Sequence, residues 1–271
     1  MIDTEKKLTR LKKMLAEYGG AVIAYSGGVD STFLAKVAHD VLQDNVLMVT
    51  ACSATFPDKE MREAIALAEQ LGFNYKVIWT DELTNDLFTA NPPERCYYCK
   101  TELFSRLQTI AKEHNLPFIL DGANFDDVAD FRPGAQAAAE LGVKSPLKEV
   151  ELSKDEIRLL SKEYGLPTWD KPSFACLSSR FPYGEQITKE KLSMVEQAEA
   201  FLRTLGFNQL RVRQHGQMAR IEVPFTDLAK VVERTDKITT QLKTLGYIYI
   251  TLDLQGYRTG SMNEVLHVAT E

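Results

Sequence analysis

At 271 residues the chain is long for one compact domain and comfortable for two. Hydrophobic residues make up 44% and charged residues 26%, a balance that supplies a sizeable core and excludes wholesale disorder. The net charge is −6: residues 185–271 carry 11 Lys and Arg against 11 Asp and Glu, residues 1–184 carry 21 against 27, and neither part has the basic footprint of a nucleic-acid partner. A local basic patch could still take a small anion. No apolar run is long enough to span a membrane, and the charged amphipathic start MIDTEKKLTRLKKMLAEYGG has no apolar signal-peptide region, so a cytoplasmic location is expected.

In chain order, residues 5–18 read as a helix with Leu8, Leu11 and Leu15 at helical spacing, 21–25 as a buried strand and 30–43 as a helix. A strand at 46–51, a helix at 57–71 ending at Gly72, a strand at 75–80, a helix at 99–114 and a strand at 118–122 follow. Strands alternating with helices predict right-handed βαβ units and an α/β fold: a mostly parallel, Rossmann-like sheet with helices on both faces. Residues 165–188 hold three prolines and two glycines with little apolar periodicity, the mark of a long functional or linking loop. Beyond it come a helix at 189–205, strands at 209–214 and 218–223, a helix at 225–244 and a strand at 247–253. The expected organisation is an α/β domain over 1–170, a functional loop or linker over 171–188 and a small α+β domain over 189–271.

Ser26-Gly27-Gly28-Val29-Asp30-Ser31 follows the first strand directly and opens a helix. Adjacent glycines let the chain turn sharply and bring successive N–H groups close to an anion. The helix adds unpaired N–H groups and the positive end of its dipole. Ser26 and Ser31 supply hydroxyls, and Asp30 can hold Mg²⁺ against phosphate oxygens. The simplest structural alternative is a capped strand–helix turn with its glycines serving geometry alone. The run resembles the pyrophosphate-loop signature of the ATP pyrophosphatase superfamily, whose members cleave ATP between the α and β phosphates and adenylate a substrate oxygen. A Walker A loop would need Lys after the second Gly. Asp121, Gly122 and Asn124, at the end of the fourth strand, should lie on the same carboxyl edge. Asp126, Asp127, Asp130 and Arg132 could line that site or be solvated loop charges.

Four cysteines are too few for a disulfide scaffold in a chain this long. Cys96-Tyr97-Tyr98-Cys99 precedes a predicted helix and is ambiguous among a dithiol, half a zinc site and part of an iron–sulfur site. Cys176 lies in the long loop. Three thiolates fit a [4Fe–4S] cluster with one open iron, whereas a structural zinc site needs a fourth ligand and no histidine is near a cysteine in sequence. Inert buried thiols are the alternative. Cys52, at the end of an apolar strand, reads as core.

The loop, Phe131-Arg132-Pro133-Gly134, SSRFPYG at 178–184, Arg211-Val212-Arg213, Ala219-Arg220-Ile221-Glu222, and Leu245-Gly246-Tyr247 through to Gly256-Tyr257-Arg258-Thr259-Gly260 together resemble the LarE family over almost the whole chain. These are ATP-dependent sulfur transferases of nickel-pincer nucleotide cofactor synthesis. The resemblance implies an adenine-nucleotide α-hydrolase-like fold and adenylation of a carboxylate of pyridinium-3,5-biscarboxylic acid mononucleotide. Sulfur then displaces AMP to give a thiocarboxylic acid. It maps Ser179, Arg180, Arg211, Arg213 and Glu222 to the sulfur-transfer site beside Cys176 and implies a homo-oligomer. The arginines suit phosphate and carboxylate groups, although alternating strand charges on a surface would give the same pattern. In the sacrificial form of the family a cysteine gives up its sulfur and becomes dehydroalanine. There it stands one residue further from Ser-Ser-Arg, without a CxxC pair; here Ala175 takes that place. The pattern is that of the other form, with Cys96, Cys99 and Cys176 holding a [4Fe–4S] cluster that carries the sulfur, and a sacrificial Cys176 is the alternative. A tRNA thiolase, an amide-forming NAD or GMP synthetase, or a nucleotide-binding regulator without chemistry are the competing functions.

Overall fold

The computed structural model describes residues 2–129, 133–172, 175–258 and 260–265, so the candidates Asp130, Phe131, Arg132 and Thr259 lie outside the described residues. The chain divides into two compact units, Met1–Glu82 with Glu94–Phe174, and Leu83–Pro93 with Ala175–Glu271.

The first unit is built on strands β1 (Ala21–Ala24), β2 (Val46–Cys52), β3 (Tyr75–Trp79) and β4 (Phe118–Leu120), all parallel in the order β3-β2-β1-β4. Side chains alternate across a strand. Ala21, Ile23, Val46 and Met48 therefore bury themselves with Leu11 and Leu15 of helix Ile2–Tyr18, Phe33 and Leu34 of helix Val29–Leu42, and Ile157 and Leu160 of helix Lys154–Glu163. Val22, Leu47 and Val49 pack on the opposite face against Phe104, Leu107 and Ile110 of helix Arg95–Glu113. Burial on both faces explains the continuous apolar runs of β1 and β2, and the architecture is the expected Rossmann-like α/β fold. Strand order reverses beside β1, which opens a crevice at the carboxyl ends of β1 and β4.

Helices Pro133–Glu140, Pro146–Glu149 and Lys154–Glu163 occupy a stretch to which no elements are assigned from sequence. The last carries a capping box in which Ser153 and Glu156 satisfy each other's backbone N–H groups, a legible signal. Helix Arg95–Glu113 starts four residues before its predicted start, one residue after Pro92 and Pro93, so Cys96 lies in its first turn and Cys99 at the start of its second rather than ahead of it.

In the second unit β5 (Arg211–His215) and β6 (Met218–Glu222) pair antiparallel, and β7 (Tyr249–Leu252) pairs parallel to β6. Val212, Ala219 and Ile221 pack with Ala198 and Leu202 of helix Lys189–Thr204 and Ile238 and Leu242 of helix Thr235–Thr244. Arg211, Arg213, Arg220 and Glu222 occupy the opposite sheet face by alternation. The predicted helix at 225–244 is a 3₁₀ turn Phe225–Asp227 and two helices, Leu228–Glu233 and Thr235–Thr244, broken at Arg234, whose guanidinium stacks 5.3 Å over Phe207. Among the described residues no helix is long and apolar enough to cross a membrane.

Candidate active site

The loop after β1 fits only glycine at position 27. Gly27 has φ +67°, and a Cβ there would sit 2.6 Å from Ala64 Cβ on helix Asp58–Gln70. Gly27 is thus buried against that helix, while Ser26 is exposed and Gly28 half-buried on the outer side. Helix Val29–Leu42 starts at Gly28 without a side-chain cap, which leaves its first-turn amides for an anion. Ser26 Oγ and Ser31 Oγ lie 3.0 Å apart, the Ser26 N–H donates to Ser31 Oγ at 3.3 Å, and Ser31 Oγ donates to the Gly28 carbonyl at 3.3 Å. These bonds close the loop upon itself.

The end of β4 reaches the same loop. A Cβ at Gly122 would stand 3.0 Å from Ser31 N, so the two backbones touch. Asp121 Oδ1 accepts from Ser145 Oγ at 2.7 Å and from the Ala123 N–H at 3.2 Å. Asn124, almost fully buried, accepts from the Asp126 N–H at 3.0 Å, and its own N–H donates to Asp127 Oδ2 at 3.0 Å. The structure therefore gathers Ser26–Ser31 and Asp121–Asn124 at one strand edge. Asp30 Oδ2 takes the Lys154 ammonium at 2.5 Å, while Oδ1 is buried with no hydrogen-bond partner. A buried carboxylate oxygen with open valence beside the loop fits a divalent cation. Lys154 is absent from the sequence reading, yet a lysine at the first position of a helix opposes the dipole and signals a partner elsewhere.

In the second unit the arginines are not surface charges. Arg180 is fully buried: Nε and Nη2 donate to the two Glu199 oxygens at 2.8 and 3.1 Å. Nη1 donates to the carbonyls of Ala175 at 2.6 Å and Cys176 at 2.9 Å and to Ser179 Oγ at 2.9 Å. Arg180 thus clamps the backbone that carries Cys176. Ser179 Oγ also donates to the Cys176 carbonyl, at 2.8 Å. Arg213 donates twice to Glu222 Oε2, at 2.9 and 2.7 Å, and also to Ser261 Oγ and the Ser179 carbonyl, each at 3.0 Å. Glu222 Oε1 accepts from Arg220 at 2.9 Å and Ser261 at 3.1 Å. Arg211 stacks 5.2 Å over the Tyr257 ring. Its guanidinium is lowered from the usual range by burial and then by the neighbouring Arg180, a local excess of positive charge suited to an anionic group. Glu199, the centre of the Arg180 clamp, is missing from the sequence candidates. Its signal is a carboxylate on the buried stripe Val195, Ala198, Glu199, Leu202 of an amphipathic helix.

None of the four cysteines is in a disulfide. Cys52 is buried, and burial followed by Asp58 raises its thiol, consistent with an inert core position. Cys96, in the first turn, and Cys99, at the start of the second, stand three apart on one helix of the first unit, and Cys176 belongs to the second unit. Among the described residues no group of three or more His, Cys, Asp or Glu is gathered as a metal site. Helix Pro133–Glu140, opened by Pro133 and Gly134, packs along helix Arg95–Glu113.

The NAD synthase family matches residues 4–112, a stretch that contains the loop and the Cys96–Cys99 turn. The chain is 42% identical to the pyridinium-3,5-bisthiocarboxylic acid mononucleotide synthase of Lactiplantibacillus plantarum over 98% of this chain and 97% of that one. The chain belongs to the LarE family. LarE membership makes it an enzyme, an ATP-dependent sulfurtransferase of the pyrophosphate-loop superfamily. An uncharacterized Synechocystis protein is 47% identical over 97% of this chain and 98% of its own length. A glutamine-hydrolyzing GMP synthase of Aeropyrum pernix is 28% identical over 68% of this chain and 39% of its own length. The NAD synthase match ends at residue 112, so it covers the Ser26–Ser31 loop but neither Asp121 nor the arginines from Arg180 onward.

Proposed function

We propose that this enzyme adenylates a carboxylate of pyridinium-3,5-biscarboxylic acid mononucleotide and exchanges an oxygen for sulfur, a step of nickel-pincer nucleotide cofactor synthesis. The end-to-end likeness to a synthase named for the bisthiocarboxylic product carries the reading. The buried guanidinium face supports it, because phosphate and carboxylate groups are what planar guanidinium forks bind.

In the first step a substrate carboxylate oxygen attacks the α-phosphorus of ATP. A P–O bond forms, the bond to the β-phosphate bridge breaks, and pyrophosphate leaves. The amides about Ser26–Ser31 and the start of helix Val29–Leu42 stabilise the charge that grows on that leaving group. Asp30, through its unpartnered Oδ1, would hold Mg²⁺ against the phosphates. In the second step sulfur adds to the acyl carbon and AMP departs with the carboxyl oxygen. Arg211 and Arg213 orient the nucleotide's anionic groups, with Arg213 fixed by Glu222. Arg180, Ser179 and Glu199 hold the Cys176 segment in place. In division of labour, residues 1–170 handle ATP, 171–188 carry the sulfur-transfer loop, and 189–271 present the substrate face. The setting is a cytoplasmic homo-oligomer that binds no nucleic acid.

Cys96, Cys99 and Cys176 are the ligands we propose for a [4Fe–4S] cluster, which when bound supplies the sulfide that is transferred. The donor chemistry fits: three thiols, two of them at a helix start, and no fourth ligand required. Anaerobic purification with iron and sulfide analysis should find the cluster, and a Cys96→Ala variant should lose its visible charge-transfer absorbance. Iron-free wild type whose Cys176 loses its sulfur during turnover would assign the sacrificial route instead.

A further inference from the structure

Lys171, which the sequence reading leaves in a linker, is built into the underside of the nucleotide loop. Its ammonium lies 2.8 Å from Glu60 Oε2, 3.1 Å from Glu63 Oε2 and 3.4 Å from the Gly27 carbonyl, so its three N–H donors meet three acceptors. Glu60, Glu63 and Ala64 share one face of helix Asp58–Gln70, and Ala64 is the residue against which Gly27 packs. The segment that delivers Lys171 is held in turn. Arg158 donates to the Trp169 carbonyl at 2.7 Å and to the Lys171 carbonyl at 2.8 Å, and the Lys171 N–H donates to the Thr168 carbonyl at 3.0 Å. Burial disfavours the ammonium, but Glu60 and Glu63 outweigh it and raise its pKa, so the charge persists through the physiological range.

The Gly27 carbonyl and the Gly28 N–H belong to one planar trans peptide and point in opposite directions. We infer that Lys171 is a positioning residue of the nucleotide loop: by drawing the Gly27 carbonyl back toward helix Asp58–Gln70, it turns the Gly28 N–H outward to the side proposed for pyrophosphate. This rests on the proposed use of the loop. Glu60 and Glu63 keep the ammonium occupied beneath the loop, so it acts through the peptide and not as a phosphate ligand.

Calorimetric titration of the whole protein with magnesium pyrophosphate, and separately with adenosine, tests the inference. Lys171→Met should raise the pyrophosphate Kd about tenfold, with the adenosine Kd within about twofold of wild type. Lys171→Arg should recover most of the affinity, since a guanidinium can still bridge the carbonyl and a carboxylate. The double variant Glu60→Gln, Glu63→Gln, which unseats the ammonium without removing it, should also weaken pyrophosphate binding several-fold. Equal or tighter binding by the double variant would make Lys171 a direct ligand and overturn the positioning role. Unchanged pyrophosphate binding by Lys171→Met, or parallel loss of adenosine binding, would also overturn it. Wild type that binds no pyrophosphate would instead overturn the loop's proposed function, and the inference with it.

Discussion

Replacing Glu199 with Ala should lower the stability of the second unit by about 3–5 kcal/mol, measured by denaturant unfolding followed by circular dichroism. Arg180 is fully buried, and both oxygens of Glu199 face it at 2.8 and 3.1 Å. Glu199 also accepts from Arg203 at 3.1 Å and from the Val212 N–H at 3.1 Å. Truncation therefore leaves a guanidinium in the interior without its counter-charge and a β5 amide without its acceptor. Because the same guanidinium holds the Ala175 and Cys176 carbonyls, the damage should extend to sulfur transfer. The pH dependence has a definite sign. Burial pushes the Glu199 carboxyl up, but Arg180, Arg203 and Arg211 together outweigh burial and set it below its ordinary 4.5. A depressed folded-state pKa contributes stability that is complete above the unfolded value and is lost as pH falls through the folded one. Wild type should thus lose stability in acid over a range in which the Ala variant is flatter. A variant within about 1 kcal/mol of wild type at neutral pH would contradict the clamp.

Gly27→Ala should lower ATP-dependent pyrophosphate release by about 100-fold or more, because misplacing reacting groups by an ångström has effects of that size. Two independent constraints act at this residue. Its φ of +67° disfavours any side chain, and the added methyl would meet Ala64 Cβ at 2.6 Å and Ala64 Cα at 2.8 Å, the latter backbone that cannot swing away. The loop must therefore lift from helix Asp58–Gln70 and carry its amides with it. Gly28→Ala provides the contrast: φ there is −81°, and the nearest atom to an added Cβ is Ser26 Oγ at 3.4 Å, so a far smaller loss is expected. Equal losses in steady-state pyrophosphate release from the two variants would contradict this account of the turn.

The first unit was legible because its central strands β1 and β2 bury both faces and so appear as unbroken apolar runs, and because the loop's glycines, serines and Asp30 are consecutive in sequence. Asp121 and Gly122 were within reach for a related reason: parallel strands collect their carboxyl ends on one edge. The second unit's site was harder to see. Arg211 and Arg213 alternate as surface charges would, and only folding brings Glu222 and Ser261 around Arg213. Glu199 and Lys171 escaped because their partners are remote: Val212 is 13 residues away and Gly27 is 144. A long-range ion pair leaves no periodicity, so a charged residue on an apolar helix stripe is the most that local sequence can offer. The break at Arg234 left no glycine or proline to mark it.

The most direct measurement is chromatography and mass spectrometry of the products when the purified enzyme receives Mg·ATP and pyridinium-3,5-biscarboxylic acid mononucleotide under anaerobic conditions. AMP and pyrophosphate should accumulate in step with a mononucleotide in which one carboxyl oxygen has become sulfur. Formation of ADP and phosphate, or AMP released without any sulfur gained by the mononucleotide, would contradict the proposed sulfurtransferase chemistry.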